Sequence, residues 1–126
     1  MRTAALYAGL LGLLLFALTL SVSEARHRTK TAIGDGGDEV LRRRIRAHGN
    51  FVEYVPLSLL LLALSESLGL GSLFVHMLGL VLLVSRIAHA YGISQPREPL
   101  AFRMLGTTGT LIVLIVTALY CIWSFF

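Results

Sequence analysis

The chain is poor in the groups from which most catalytic and metal sites are built. It has one cysteine, Cys121, in 126 residues, which excludes an intrachain disulfide and any cysteine-built metal site. Cys121 lies near the end of an apolar run, where a thiol serves as a small packing residue. The four histidines, His27, His48, His76 and His89, are scattered, and no metal cluster can be assembled from them. No Gly-rich phosphate loop, no Ser/His/Asp signature and no CxxC pair is present. Charge is scarce at 14%, and acid is the scarcer sign, with 7 Asp and Glu against 11 Lys and Arg. No charged residue at all falls between Thr3 and Val22.

What fills the space is apolar. The chain is 56% hydrophobic with a mean hydropathy of +0.77, too short and too apolar for an ordinary soluble domain. The charge-free stretch from Thr3 to Val22 is long enough for a span of about 20 residues. Leu57–Leu64 with the residues before it, Leu68–Val84, and Pro99–Phe126 supply three more. The pattern predicts an all-α fold, an integral membrane four-helix bundle formed by one domain over residues 1–126, with helices near 3–24, 39–68, 72–91 and 101–123. Asp38 is placed to cap the second helix, and Gly69 and Gly71 mark a tight turn. Gln95-Pro96-Arg97-Glu98-Pro99 reads as a rigid polar connection, and Pro56 as a kink about a turn past Glu53. On the fourth helix Arg103, Thr107, Thr110, Leu114, Thr117 and Cys121 recur at alternating spacings of four and three, a semi-polar seam. Four short helices enclose little core, so self-association is expected.

Charge orients the bundle. Arg26, Arg28, Lys30, Arg42, Arg43, Arg44 and Arg46 lie between the first and second spans, and Arg97 and Arg103 flank the third connection. The second connection carries no Lys or Arg. The positive-inside rule puts both basic connections in the cytoplasm and both termini on the other side. Arg2, an apolar core and Ser23-Glu24-Ala25 imitate a secretory signal, but the apolar stretch is long for one, and cleavage would strand the basic segment outside. A retained first helix is expected. The basic connection is diluted by Glu24, Asp35, Asp38 and Glu39, which argues against a nucleic-acid partner.

The polar residues that enter the membrane carry the functional argument. Arg46, Asn50 and Glu53, at spacings of four and three, lie within about 60° of one another on one helix face. Ionised and amide side chains near the bilayer are expensive, and normally point at a partner or a ligand. One reading is a network that only fixes helix packing. Against it stands a surplus of cations, Arg42, Arg46, Arg86 and Arg103, at the same cytoplasmic boundary. Guanidinium groups with one carboxylate and one amide suit a peptide-like ligand bearing carboxylates and an ammonium. Arg86 and His89 share a face three residues apart. Tyr54 directly follows Glu53 and can reach the edge of the same site, while Tyr54, Tyr91, Tyr120 and Trp123 also suit the aromatic belts.

The run Arg46-Ala47-His48-Gly49-Asn50-Phe51-Val52-Glu53-Tyr54-Val55-Pro56, with Arg86-x-x-His89 on the third helix, resembles the signature of the MAPEG family, membrane-associated proteins of eicosanoid and glutathione metabolism. The similarity extends over nearly the whole chain and is greatest to short bacterial members, which implies a bacterial inner-membrane location. The resemblance implies a homotrimer with glutathione, as co-substrate, in clefts between neighbouring subunits near the cytoplasmic face. Arg46, Asn50 and Glu53 would hold the glutathione backbone and its charged ends, with Tyr54, Arg86 and His89 as further contacts. Arg103 would be the catalytic arginine near the sulfur, and a lipophilic small-molecule substrate would arrive through the membrane lipids. The activity implied is that of a glutathione transferase or a lipid peroxidase. The alternative is a non-catalytic protein of the same fold that binds glutathione or a partner helix. A third class, a small oligomeric transporter, calls for a charge near the bilayer midplane. Glu53 and Glu66, the acids nearest to it, both look interfacial.

Overall fold

A computed structural model describes residues 1–97 and 99–126. Four helices follow one another: α1 (Arg2–Thr29), α2 (Glu39–Ser67), α3 (Ser72–Ser94) and α4 (Leu100–Trp123). No strand occurs among the described residues. All four helices are long and apolar enough to cross a membrane, and together they form a four-helix membrane bundle. Helix α2, 29 residues long, spans about 44 Å at ~1.5 Å per residue, well beyond a hydrocarbon core of about 30 Å. Its basic first half therefore stands outside the apolar layer. The helix continues through Pro56 without a break.

Helix α1 runs five residues past Glu24, the end expected from its apolar run. The physical reason is that hydropathy marks where the membrane stops, not where the helix does. Arg26, His27 and Arg28 occupy the last turn, where cations favour the negative end of the helix dipole. Lys30 then closes the helix in the left-handed conformation, at φ 51°. Helix α3 likewise continues past the expected Tyr91 to Ser94, and Gln95 terminates it in extended conformation.

The connections are secured by side-chain capping. Asp38 Oδ1 accepts the Leu41 backbone N–H at 2.7 Å and also the Arg28 guanidinium at 3.0 Å, so one carboxylate caps α2 and ties it to the end of α1. The Leu41 N–H, aided by the charge of Arg28, holds the Asp38 carboxyl below its ordinary value. At the opposite membrane face Glu66 performs the reciprocal task. Its carboxylate accepts the backbone N–H groups of Thr3 at 3.1 Å and Ala4 at 2.8 Å, and lies 3.5 Å from the Met1 ammonium. The acid that looked interfacial in the sequence thus caps the first turn of α1, two donors of which would otherwise be unsatisfied. Gly69, at φ 99°, makes the turn into α3 that an L side chain would resist.

One core cluster draws on every helix: Leu11 from α1, Phe51 and Val55 from α2, Leu82 from α3 and Val113 from α4. A second, formed by Ala4, Leu62 and Val75, lies toward the Glu66 end. Buried hydroxyls close on their own helices. Ser58, Ser65, Thr110 and Thr117 each donate to the carbonyl four residues earlier, at 2.8–2.9 Å. The semi-polar seam of α4 is therefore mainly a packing surface whose polar atoms are satisfied locally.

Candidate functional site

The stripe on α2 divides in two. Arg46 reaches two turns along its own helix and donates from Nη1 to Glu53 Oε1 at 3.0 Å and from Nη2 to Glu53 Oε2 at 3.2 Å. This is a bidentate fork, the geometry in which guanidinium and carboxylate planes match best. Both side chains are about half exposed, at 54% and 50%. Asn50, between them in sequence, turns the other way. Its Oδ1 accepts from Arg86 Nη2 across the α2–α3 interface at 2.6 Å.

Arg86 is buried to 1% exposure. Its second terminal nitrogen donates to Thr110 Oγ1 on α4 at 3.3 Å, and Nε has no hydrogen-bond partner. No carboxylate lies within ion-pairing distance of Arg86 among the described residues. Tyr54 stands within electrostatic reach of the guanidinium. His89, one turn along α3, is equally sequestered at 2% exposure, against Gly106 of α4. Both residues expected to share a ligand face are thus turned into the bundle. Three helices meet at Arg86, joined by polar contacts rather than by opposite charge.

Arg103 occupies the first turn of α4 and is exposed. It lines an open groove of about 300 Å³ together with Glu39, Arg42, Arg43, Arg46 and Ile93. The sequence-based candidates Arg46 and Arg103 are therefore brought together, whereas Asn50, Glu53, Tyr54, Arg86 and His89 stand outside that lining. Glu53 joins the groove only through its ion pair with Arg46. The acid in the lining, Glu39, pairs with both Arg42 and Arg43. Among the described residues, four guanidinium groups and one carboxylate line the groove. Across Phe102, the neighbour of Arg103, a second groove of about 300 Å³ is lined only by apolar and aromatic residues: Val84, Ile87, Ala88, Tyr91 and Phe102. Tyr91 and Phe102 meet there edge to face, 5.5 Å between ring centres.

Two contributors were not singled out in the sequence as site residues. Arg43 sits three residues before Arg46 and so shares its face, a signal that was legible. Thr110 belongs to the α4 seam, and nothing local distinguishes it from Thr107 or Thr117. Only its position opposite Arg86 does. Two further basic residues near the first connection are engaged with α1. Arg44 bonds Glu24 and the Ser21 carbonyl, each at 2.9 Å, and His48 Nε2 meets Thr19 Oγ1 at 3.2 Å. No metal-binding cluster of histidine, cysteine or acid occurs among the described residues.

Comparison with known proteins agrees with a four-helix membrane protein. The family model described as the MAPEG family matches residues 4–123. The chain is also similar to the inner membrane protein YecN of Escherichia coli K12, 37% identical over 120 residues, which is 95% of this chain and 90% of the relative's length. The YecN of an Escherichia coli O6:H1 strain matches with the same identity and coverage. With a match that spans all four membrane helices, this chain belongs to the MAPEG family.

Proposed function

We propose that the protein is a glutathione-dependent enzyme of the bacterial inner membrane, acting on a lipophilic electrophile as a transferase or on a lipid hydroperoxide as a peroxidase. The observation that carries this reading is the basic groove in which Arg46 and Arg103 stand together beside the Arg46–Glu53 fork. An amino acid zwitterion has the complementary fork. Its carboxylate can take the place of Glu53 at Arg46, and its ammonium the place of Arg46 at Glu53, so neither charge is left unbalanced. A simple anion would strand Glu53, and a simple cation would strand Arg46. Glutathione carries such a zwitterion at one end, a carboxylate at the other, and a thiol between. Asn50, on the same stripe, also meets the ligand, and Tyr54, Arg86 and His89 support it from behind.

In this reading Arg103 favours the thiolate. A guanidinium beside the sulfur lowers a thiol pKa from its usual ~8.5, and low-dielectric surroundings strengthen the effect. The thiolate forms a bond to the electrophilic atom of the acceptor, and the displaced electron pair leaves with the departing group. The apolar groove on the other side of Phe102 supports an acceptor that arrives from the lipid. A titration of the ultraviolet thiolate band in purified protein with glutathione tests this. Wild type should show a lowered thiol pKa, Arg103→Ala should bring it back toward that of free glutathione, and Arg103→Lys should recover part of the shift. An identical titration in all three would remove Arg103 from the chemistry. The closed Arg46–Glu53 pair also suits a non-catalytic protein that binds glutathione or a partner helix. Binding without conjugation or hydroperoxide reduction would favour that reading.

The protein is proposed to work as a homotrimer with both termini outside the cytoplasm. A single protomer leaves the Arg46–Glu53 face open, and a neighbouring copy would complete the cleft around it. The excess of Lys and Arg in the first and third connections supports the orientation. Mass measurement in mild detergent should give three chains per particle, and a cysteine placed at Lys30 should resist impermeant thiol reagents in intact cells. A monomer that binds glutathione as well as the native particle would rule out the shared cleft, and rapid labelling at Lys30 would invert the topology.

A further inference from the structure

We infer that Arg86 is a positioning residue that fixes the orientation of the Asn50 amide, so that its NH₂ donors are left for the ligand and the ligand atom they receive is a carboxylate or peptide carbonyl oxygen. The inference takes its ligand from the proposed glutathione reading, and its physical basis is separate from it. An asparagine amide is ordinarily ambiguous, with an acceptor on one branch and two donors on the other. Here chemistry removes the ambiguity. A guanidinium has no acceptor, so the Asn50 atom 2.6 Å from Arg86 Nη2 must be the oxygen. Asn50 Nδ2 makes no hydrogen bond within the chain and is not a buried atom. Asn50 lies between Arg46 and Glu53 along α2, so this free amide group stands at the level of their ion pair.

The lock is strong because Arg86 has few alternatives. It is buried to 1% exposure among α2, α3 and α4, with no carboxylate to neutralise it among the described residues and with Nε already unsatisfied. Turning the Asn50 amide over would set its NH₂ group against Nη2, donor against donor, and would take the shortest bond from a buried charge. Thr110 is already engaged, donating its hydroxyl proton to the Gly106 carbonyl and accepting from Nη1 at 3.3 Å, the longer of the two Arg86 bonds. The Asn50 carbonyl is therefore committed inward. For an ammonium of the ligand, Glu53 is the ionised acceptor on this stretch of α2.

Asn50→Asp separates this from a packing role because its two effects have opposite signs. A carboxylate in that position supplies Arg86 with an acid and removes both amide donors. The melting temperature in detergent should equal or exceed that of wild type, while glutathione affinity falls tenfold or more. A lower melting temperature would show that Arg86 does not face residue 50, and unchanged affinity would show that no ligand acceptor lies there. Arg86→Lys keeps the charge but offers one nitrogen where Arg86 places two, one on Thr110 and one on Asn50. It should weaken glutathione about as much as Asn50→Ala does, and the double variant should be no weaker than Asn50→Ala alone. Additive losses would mean that Arg86 acts on the ligand independently and would overturn the positioning role. If wild type bound no glutathione, the proposed function would fall, and the direction of the Asn50→Asp melting shift would still decide the Arg86–Asn50 pairing.

Discussion

Replacing Gly106 with alanine is expected to force α4 away from α3 and to destabilise the bundle more than a substitution at any other glycine tested beside it. A Cβ at position 106 would lie 2.5 Å from the Ser85 carbonyl oxygen, 2.6 Å from His89 Cβ and 2.8 Å from His89 N. All three atoms belong to the backbone or first carbon of α3, so no side-chain rotation relieves the clash. Overpacking of this kind costs about 1–3 kcal/mol and sometimes more. Membrane helices associate through such close approach, because lipid offers no hydrophobic penalty for leaving them apart. Gly9→Ala is the control, since a Cβ there meets nothing within 4 Å. Gly109→Ala should fall between the two, because its nearest obstacle is Ser85 Oγ, which can rotate away. The measurement is thermal unfolding in detergent for the three variants. Equal melting of Gly106→Ala and Gly9→Ala would show that α3 and α4 are not in contact at this point. Where the strain is relieved by separation, Thr110 withdraws from Arg86 and the start of α4 moves, so glutathione binding should fall along with stability.

Glu53→Gln is expected to lower glutathione affinity by more than tenfold while leaving the melting temperature nearly unchanged. The two effects separate because of where the residue lies. The Arg46–Glu53 pair is half exposed, and pairs of that kind contribute only about 0–1 kcal/mol to stability. In a cleft closed around a ligand the same carboxylate would be desolvated against an ammonium, where truncating one partner typically costs about 2–5 kcal/mol. Titration with glutathione and with its N-acetylated form measures the contrast. Wild type should discriminate strongly against the blocked amine, and Glu53→Gln should lose most of that discrimination. Unchanged affinity together with reduced stability would make the pair a packing device and withdraw Glu53 from the site.

Much of the candidate site was legible because its residues are local to one helix. Arg46 and Glu53 are seven apart, two turns of α2, and they do meet. Asn50 lies between them along the helix, and its oxygen faces Arg86 on another helix. Arg86 and His89 were placed correctly on one face of α3, but that face turns toward α2 and α4. A periodic pattern gives the angle of a side chain about its own axis, and it leaves open which neighbour stands at that angle. The α4 seam shows the same limit. Its threonines could have faced a ligand, but Thr110 and Thr117 are buried and donate back to Gly106 and Val113.

By itself the sequence determined the number of membrane helices, their approximate places, and the face of α2 on which charge would gather. These follow from how many apolar residues cross a bilayer and from the turn of one helix, both local properties. The tertiary structure alone decided that Arg103 would share a groove with Arg46, that Glu66 would cap α1, and that a buried arginine would be held by Asn50 and Thr110 without an acid. Each of these contacts joins residues more than twenty positions apart, so no spacing within a single helix encodes it. The contacts form where close-packed residues such as Gly106 bring backbones together, and only there does a buried guanidinium find which polar atoms are within reach.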